Sequence, residues 1–335
     1  MRITTRAPSL PRATGGMGRL MLRSAGLRVL GAIPLLLMIS MLIFALMDLS
    51  PGDAAERLAG ESATPAQIEA VRAELGLDGS LPTRYLDWVG GVLRGDFGTS
   101  LGTNQQVTDM LVTRLPVTLS LLAVSMVVAI GVGLLAGLLA ALNPGRWPDR
   151  LVTLLSSVLL AAPPFWIGLL LVLVFALNMG VLPAVGYVRF SEDPGEWLRH
   201  LLLPAIAMAG IPAAEMARQL RGSLLDVMAT DYMLATRAKG LGAFSVIGKH
   251  GLRNASIPVV TVLGVRISQA VGSTVVVEQV FNIHGIGSLA VRSVLQGDIP
   301  VLLGITLLTT VMVVVVNLLV DLSYPILSPK MRAAA

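Results

Sequence analysis

The residues of this chain that invite a chemical reading lie in GAFSVIGKH, Gly242–His250, which has the look of a phosphate-binding loop. Such a loop needs Gly, four residues, then Gly-Lys-Ser/Thr, so that backbone amides wrap the phosphate and the hydroxyl reaches magnesium. Here five residues separate Gly242 from Gly248, and His250 stands where the hydroxyl belongs. The spacing excludes nucleotide binding. The three histidines, His200, His250 and His284, fall in separate regions and have no metal-ligand spacing. Cysteine is absent, which removes disulfides and thiolate metal sites. No HExxH, nucleophile elbow or buried carboxylate pair is visible.

Two features survive this filter. The first is Arg266, an ionisable residue inside an apolar run, which is a functional candidate by default. Ser268, Gln269, Ser273 and Thr274 make the same run unusually polar. These residues fit the wall of a water-filled path; a structural ion pair, with Glu215 as the partner, fits them equally. The second is Asp231–Gly240, DYMLATRAKG. Asp231 is a candidate cap, Tyr232–Lys239 is about two turns of helix, and Gly240 holds the stop position. Arg237 and Lys239 complement the C-terminal end of the dipole. A helix this short is unstable alone in water, because nucleation outweighs the few bonds gained. It must pack on its own bundle, on lipid headgroups or in a partner's groove.

The elements that position these residues are membrane helices. Hydrophobic residues make up 54% of the chain and charged residues 13%, where a soluble domain has about a quarter charged. Six apolar segments are predicted, at about 27–49, 115–142, 151–179, 201–220, 257–280 and 300–322. The fourth carries Pro204, Pro212, Glu215 and Arg218, and its prolines predict a kink. The expected architecture is all-α: a polytopic membrane bundle with a small external insertion.

Orientation follows from Lys and Arg. A cytoplasmic N-terminus places Arg2, Arg6, Arg12, Arg19, Arg23 and Arg28 inside. Arg146, Arg150, Arg218, Arg221, Arg237, Lys239, Lys249, Arg253, Lys330 and Arg332 fall on the same side. Six spans then return the C-terminus to the cytoplasm. The expected divisions are a basic tail 1–26, a transmembrane domain 27–330 and a C-terminal tail 331–335. The domain includes an external insertion, 50–113, and a cytoplasmic loop, 221–256. In the insertion, Thr64, Pro65 and Gln67 read as a capped helix start, with Gly76 as its end. A second helix over Tyr85–Leu93 offers Tyr85 and Trp88 to the membrane interface. Together they read as a packed cap over the bundle or as a docking site.

RAKGLGAFSVIGKHGLRNASIPVVTVLG resembles the cytoplasmic loop of ATP-binding-cassette importer permeases, most closely the dipeptide, oligopeptide and nickel family. PGD (Pro51–Asp53), GDFGTS (Gly95–Ser100), RLPVTLSL (Arg114–Leu121), PPFWIGLLL (Pro163–Leu171) and EQVFNIHGIGSLA (Glu278–Ala290) agree in order and spacing. The insertion is similar to that of the first of the two permease subunits such systems encode. The pattern departs at Leu234-Ala235-Thr236 for Glu-Ala-Ala, at Leu252-Arg253 for Leu-Pro, and at His284-Gly285 for Pro-Gly.

The resemblance implies a MetI-like six-helix bundle in a bacterial inner membrane, with both termini cytoplasmic. It implies a second permease, two ATPase subunits, an external substrate-binding protein and a peptide substrate. ATP and magnesium belong to the ATPases, this chain binds no cofactor, and it performs no chemistry of its own. Ala235, Thr236, Lys239 and Gly240 match the coupling positions that contact the ATPase. Arg266, Gln269 and Ser273 are the candidates for the translocation path. The rival readings are a secondary transporter or channel without an ATPase, and an intramembrane protease, which the missing catalytic constellation opposes.

Overall fold

The structure, a computed structural model, describes residues 17–48, 59–60, 63–74 and 79–327. The Pro51–Asp53 motif, the Gly76 helix stop and the C-terminal tail lie outside the described residues, as does most of the basic N-terminal tail. Among the described residues the elements are helical, with one isolated antiparallel bridge, Thr99 to Gln106. The helices are α1 (Met17–Asp48), α2 (Pro65–Glu74), α3 (Leu81–Val92), α4 (Val107–Leu142), α5 (Trp147–Ala161), α6 (Pro164–Leu171), α7 (Pro194–Met228), α8 (Asp231–Ala238), α9 (Arg253–Val280), α10 (Ile286–Gln296) and α11 (Ile299–Leu327). Wider π-type turns extend α6 over Val172–Asn178 and precede α9 over Ser245–Leu252.

Four of these are long and apolar enough to cross a membrane: Val107–Leu142, Pro194–Met228, Pro258–Val280 and Ile299–Val320. The bent pair formed by α5 and α6 makes a fifth if counted as one span, and α1 contributes the shorter apolar stretch Ile33–Ala45. The expected third span, 151–179, is therefore not one helix. It breaks after Ala161 and turns by 109°. Pro163 and Pro164 are the cause. A residue before proline is driven out of the α region, and Ala162 and Pro163 are both extended (ψ 129° and 139°). Single prolines act differently. Pro204 and Pro212 are buried within α7, which runs unbroken through both, because neighbouring helices cover the backbone they disrupt.

Helix α7 is the centre of the bundle, packed against α4, α5, α6 and α9. Its approach to α4 is set by small residues. A Cβ on Gly133 would lie 2.9 Å from the Ala213 carbonyl, and one on Gly137 2.7 Å from that of Ala217. This is close backbone packing of the small-xxx-small kind. Leu121, Leu122 and Met126 of α4, Leu203 and Met208 of α7, and Val271 and Val277 of α9 then close one apolar core with Phe281.

The insertion packs at one end of the bundle. Tyr85 of α3 is buried against α1, with its hydroxyl 2.8 Å from Ser40 Oγ and 3.0 Å from the Leu37 carbonyl. It is a core residue there and not an interfacial anchor. At the start of α2 the Gln67 side chain reaches back to the Thr64 amide at 2.8 Å, half of the expected capping box. The loop between α3 and α4 is pinned by Asp298, which accepts from Ser100 Oγ at 2.5 Å and from the Leu101 amide at 3.2 Å. We call this the insertion end, and the end carrying α8 the loop end.

Candidate functional site

Three clusters of polar residues divide the bundle along its length. At the loop end, Asp149 joins the α4–α5 turn to α7. It accepts from the Gly145 amide at 2.9 Å, and Arg221 grips it through Nε and Nη2. Two turns beyond Arg221, α7 ends and α8 begins. Thr230 caps the junction by donating to the Val227 carbonyl at 2.7 Å, and Asp231 is the first residue inside the helix instead of its cap. Helix α8 stops where expected. Lys239 ends it and Gly240 follows in the left-handed region, φ +75°.

The faces of α8 differ. Met233 and Thr236 are buried on the chain's own side, and Thr236 Oγ1 donates to the Tyr232 carbonyl at 2.7 Å. The Tyr232 hydroxyl lies 2.7 Å from His250 Nδ1, which ties α8 to the π-turn before α9. Leu234, Ala235, Arg237, Lys239 and Gly240 are exposed. Of the four coupling candidates, Ala235, Lys239 and Gly240 thus face outward and Thr236 faces inward. Phe244, just beyond Gly240, is 94% exposed. The sequence reading passed over Phe244 because it sits inside the rejected phosphate-loop pattern.

In the middle of the bundle, Arg266 of α9 reaches Glu215 of α7 through two of its nitrogens and donates from Nη1 to Gln269 Oε1 at 2.6 Å. The ion pair considered for Arg266 is therefore present, and its members are about three-quarters shielded (27% and 26% exposed). Gln269 and Ser273 follow Arg266 at i+3 and i+7, on one face of α9. Gln269 is exposed, while Ser273 satisfies itself on the Ala270 carbonyl at 2.9 Å. Ser268 donates to Asn317 of α11 at 2.6 Å, and Thr274 is buried.

At the insertion end sits Glu278, fully buried. Its Oε1 accepts from Thr118 Oγ1 at 2.7 Å and its Oε2 from the Ser288 amide at 2.8 Å. Thr118 Oγ1 also accepts from the Ile286 amide at 2.8 Å. Two segments that sequence order keeps apart, RLPVTLSL and EQVFNIHGIGSLA, are thereby closed onto each other, with α10 seated by its first amides. Glu278 is the functional candidate that the sequence reading missed. The rule that singled out Arg266 applies to it equally, since both are charges within a span.

The model of the binding-protein-dependent transport system inner membrane component covers residues 133–333, and its N-terminal counterpart covers 21–122. The chain belongs to this family. It is a multi-pass transport permease. The permease is 38% identical over 305 residues to a putative peptide transport system permease protein of Brucella abortus (strain 2308), spanning 91% of this chain and 97% of the relative. It is 37% identical, over the same shares, to a probable peptide ABC transporter permease protein of Sinorhizobium fredii. It is 39% identical, again over those shares, to the glutathione transport system permease protein of Salmonella typhimurium. Among solved structures, an inward-facing MetNI methionine ABC transporter chain superposes with TM-score 0.54 at 18% identity, covering 65% of the permease and 96% of that chain. The permease thus has the MetI-like fold.

Among the described residues of the permease, no three His, Asp or Glu side chains gather as a metal site would require. His200 Nδ1 lies 2.8 Å from the Glu196 carbonyl, His250 pairs with Tyr232, and His284 is exposed.

Proposed function

We propose that this permease forms half of the membrane path of an ATP-driven importer for small peptides, a class that includes glutathione. A second permease completes the path, an external binding protein delivers the substrate, and two ATPase subunits hold ATP and magnesium at the loop end. The observation that carries this is the division of α8. Met233 and Thr236 fix an eight-residue helix to its own chain. Leu234, Ala235, Lys239 and Gly240 remain outside, flanked by Tyr232 and Phe244. A short amphipathic segment of this kind suits the groove of a partner, with Leu234 and Phe244 as apolar anchors. The peptide names of the relatives support the substrate class.

The loop end is cytoplasmic in this reading, since Arg146, Arg150, Arg218, Arg221, Arg237, Lys239, Lys249 and Arg253 gather there. Arg266, Gln269 and Ser273 present their common face to the path. The neutralised Arg266–Glu215 pair leaves Gln269 to meet the polar backbone of a passing peptide. Reconstitution tests the proposal. Proteoliposomes holding both permeases and the ATPases should accumulate labelled dipeptides, tripeptides or glutathione when ATP and the binding protein are supplied. Equal uptake without the ATPases would sink it.

A further inference from the structure

We propose that Glu278 latches an outer gate formed by α10, and that Arg114 takes over its carboxylate when α10 lifts. This rests on the importer reading and adds a positioning role that the reading does not contain.

A buried carboxylate is costly unless its charge is met. Among the described residues no cation hydrogen-bonds to Glu278. Its charge is met by the Thr118 hydroxyl at 2.7 Å and the Ser288 amide at 2.8 Å, the latter at the positive end of α10. The seating is tight. A Cβ on Gly285 would lie 2.3 Å from Glu278 Oε1 and 2.5 Å from Thr118 Oγ1. The partners of Glu278 thus belong to α4 on one side and α10 on the other, so the closed position of α10 depends on it.

Arg114 is a cation near Glu278 with a nitrogen that forms no hydrogen bond. It lies one helical turn before Thr118 on the same face of α4. Its Nη1 is shielded from solvent and makes no hydrogen bond, and the guanidinium is within electrostatic reach of both Glu278 and Arg292. Arg292 rides on α10. Lifting α10 withdraws the Ser288 amide from Glu278. The carboxylate then needs a new partner, and the free Nη1 supplies it. Two alternative sets of contacts on one buried charge make a two-state element, which a gate requires.

The rest of α10 suits a flap. Val294 and Leu295 on its outer side are 64% and 82% exposed. Beneath it, a cavity of about 40 Å³ touches Thr118, Thr274, Gly287, Ala290 and Thr309. Its far end turns into α11 through Gly297 in the left-handed region, φ +64°, so a single residue separates the end of α10 from Asp298.

The chain has no native cysteine, so a single Ser293→Cys, at a buried position of α10, reports lifting through a membrane-impermeant maleimide. The assembled transporter is labelled in proteoliposomes at rest and after ATP with vanadate. The latch predicts slow labelling at rest and faster labelling with nucleotide. Thr118→Val should raise the resting rate about tenfold, the effect of losing one hydrogen bond to a charged group. Arg114→Gln should leave the resting rate within about twofold and cut the nucleotide-driven rate about tenfold, since its bond forms only in the lifted state. Equal resting increases in both variants would make Arg114 a static partner and overturn the proposal. So would an unchanged resting rate in Thr118→Val. If nucleotide leaves labelling unchanged without either substitution while ATP-driven uptake persists, α10 does not lift and the latch is overturned; if uptake is absent as well, the importer reading itself fails.

Discussion

Thr118 and Glu278, 160 residues apart, share a 2.7 Å hydrogen bond that closes the first long membrane helix of the core onto the segment before the last. The bond matters because Glu278 is fully buried and Thr118 Oγ1 also receives the Ile286 amide. One hydroxyl therefore organises two elements, and nothing but glycine fits at 285 beside it.

Gly285→Ala is the direct test of that crowding. The added methyl would occupy the position now held by Glu278 Oε1, 2.3 Å away. Either the carboxylate moves off its donors or α10 does. Leaving a buried charge short of a hydrogen bond costs about 1–3 kcal/mol. The expected outcome is a lower midpoint of thermal unfolding in detergent, followed by size-exclusion chromatography. Gly272→Ala, on α9 with Glu278 and with no atom within 4 Å of the new methyl, should leave it unchanged.

Gly240→Leu should uncouple ATP hydrolysis from uptake while the chain still inserts. The residue holds φ +75° at the end of α8, where a side chain costs about 1–2 kcal/mol. That strain falls on a helix only eight residues long, so it displaces Lys239 and Ala235 before it affects the bundle. ATPase activity and uptake are measured together. Gly242→Leu, outside the left-handed region and with open space around it, should keep them coupled. Normal coupling in Gly240→Leu would remove α8 from the mechanism.

The Arg266–Glu215 pair predicts an ordering of variants. Removing one partner of a shielded pair leaves a charge without its counter-ion, at about 3–5 kcal/mol, whereas replacing both is often neutral. Arg266→Met and Glu215→Gln alone should each lower expression and stability. The double variant should recover most of the stability, because both charges are gone. Uptake then separates two roles for the face shared by Arg266 and Gln269. Recovery of stability without recovery of uptake marks these positions as part of the path.

Much of this was legible in the residues, and the limits are physical. The short helix, its glycine stop and the capped start at Thr64 are local, and local chemistry fixes them. The mid-span Arg266 is legible because charge in an apolar run is conspicuous, and Glu215 as its partner followed from the same rule. Thr118, Glu278, Asp149 and Asp298 were not legible as partners. Each acts through a contact with a distant segment, and spacing along the chain carries no trace of it. The break at Pro163-Pro164 was readable in principle, since paired prolines disrupt a helix more than single ones, but an uninterrupted apolar run masked it. The inward turn of Thr236 also depends on how α8 lies against the π-turn, which its own eight residues do not set.

The close backbone approach of α4 to α7 gives the last prediction. Gly133 and Gly137 form a Gly-x-x-x-Gly pair facing Ala213 and Ala217 of α7. A Cβ at 137 would lie 2.7 Å from the Ala217 carbonyl and 3.0 Å from the Leu220 Cβ. Both contacts are to backbone or to the root of a side chain, which no rotamer change can relieve. Gly137→Val must therefore push α4 away from α7, and α7 is the helix on which α5, α6 and α9 also pack. In a membrane, helix association depends on such close van der Waals contact, because lipid is as apolar as the helices themselves. The chain should insert, since insertion depends on the hydrophobicity of single segments. It should then fail to assemble and be degraded. Gly131→Val, on the same helix with open space around it, should assemble normally. Pulse-labelled chains followed by native gel separate insertion from assembly. Normal assembly of Gly137→Val would show that α4 and α7 are not held by this contact.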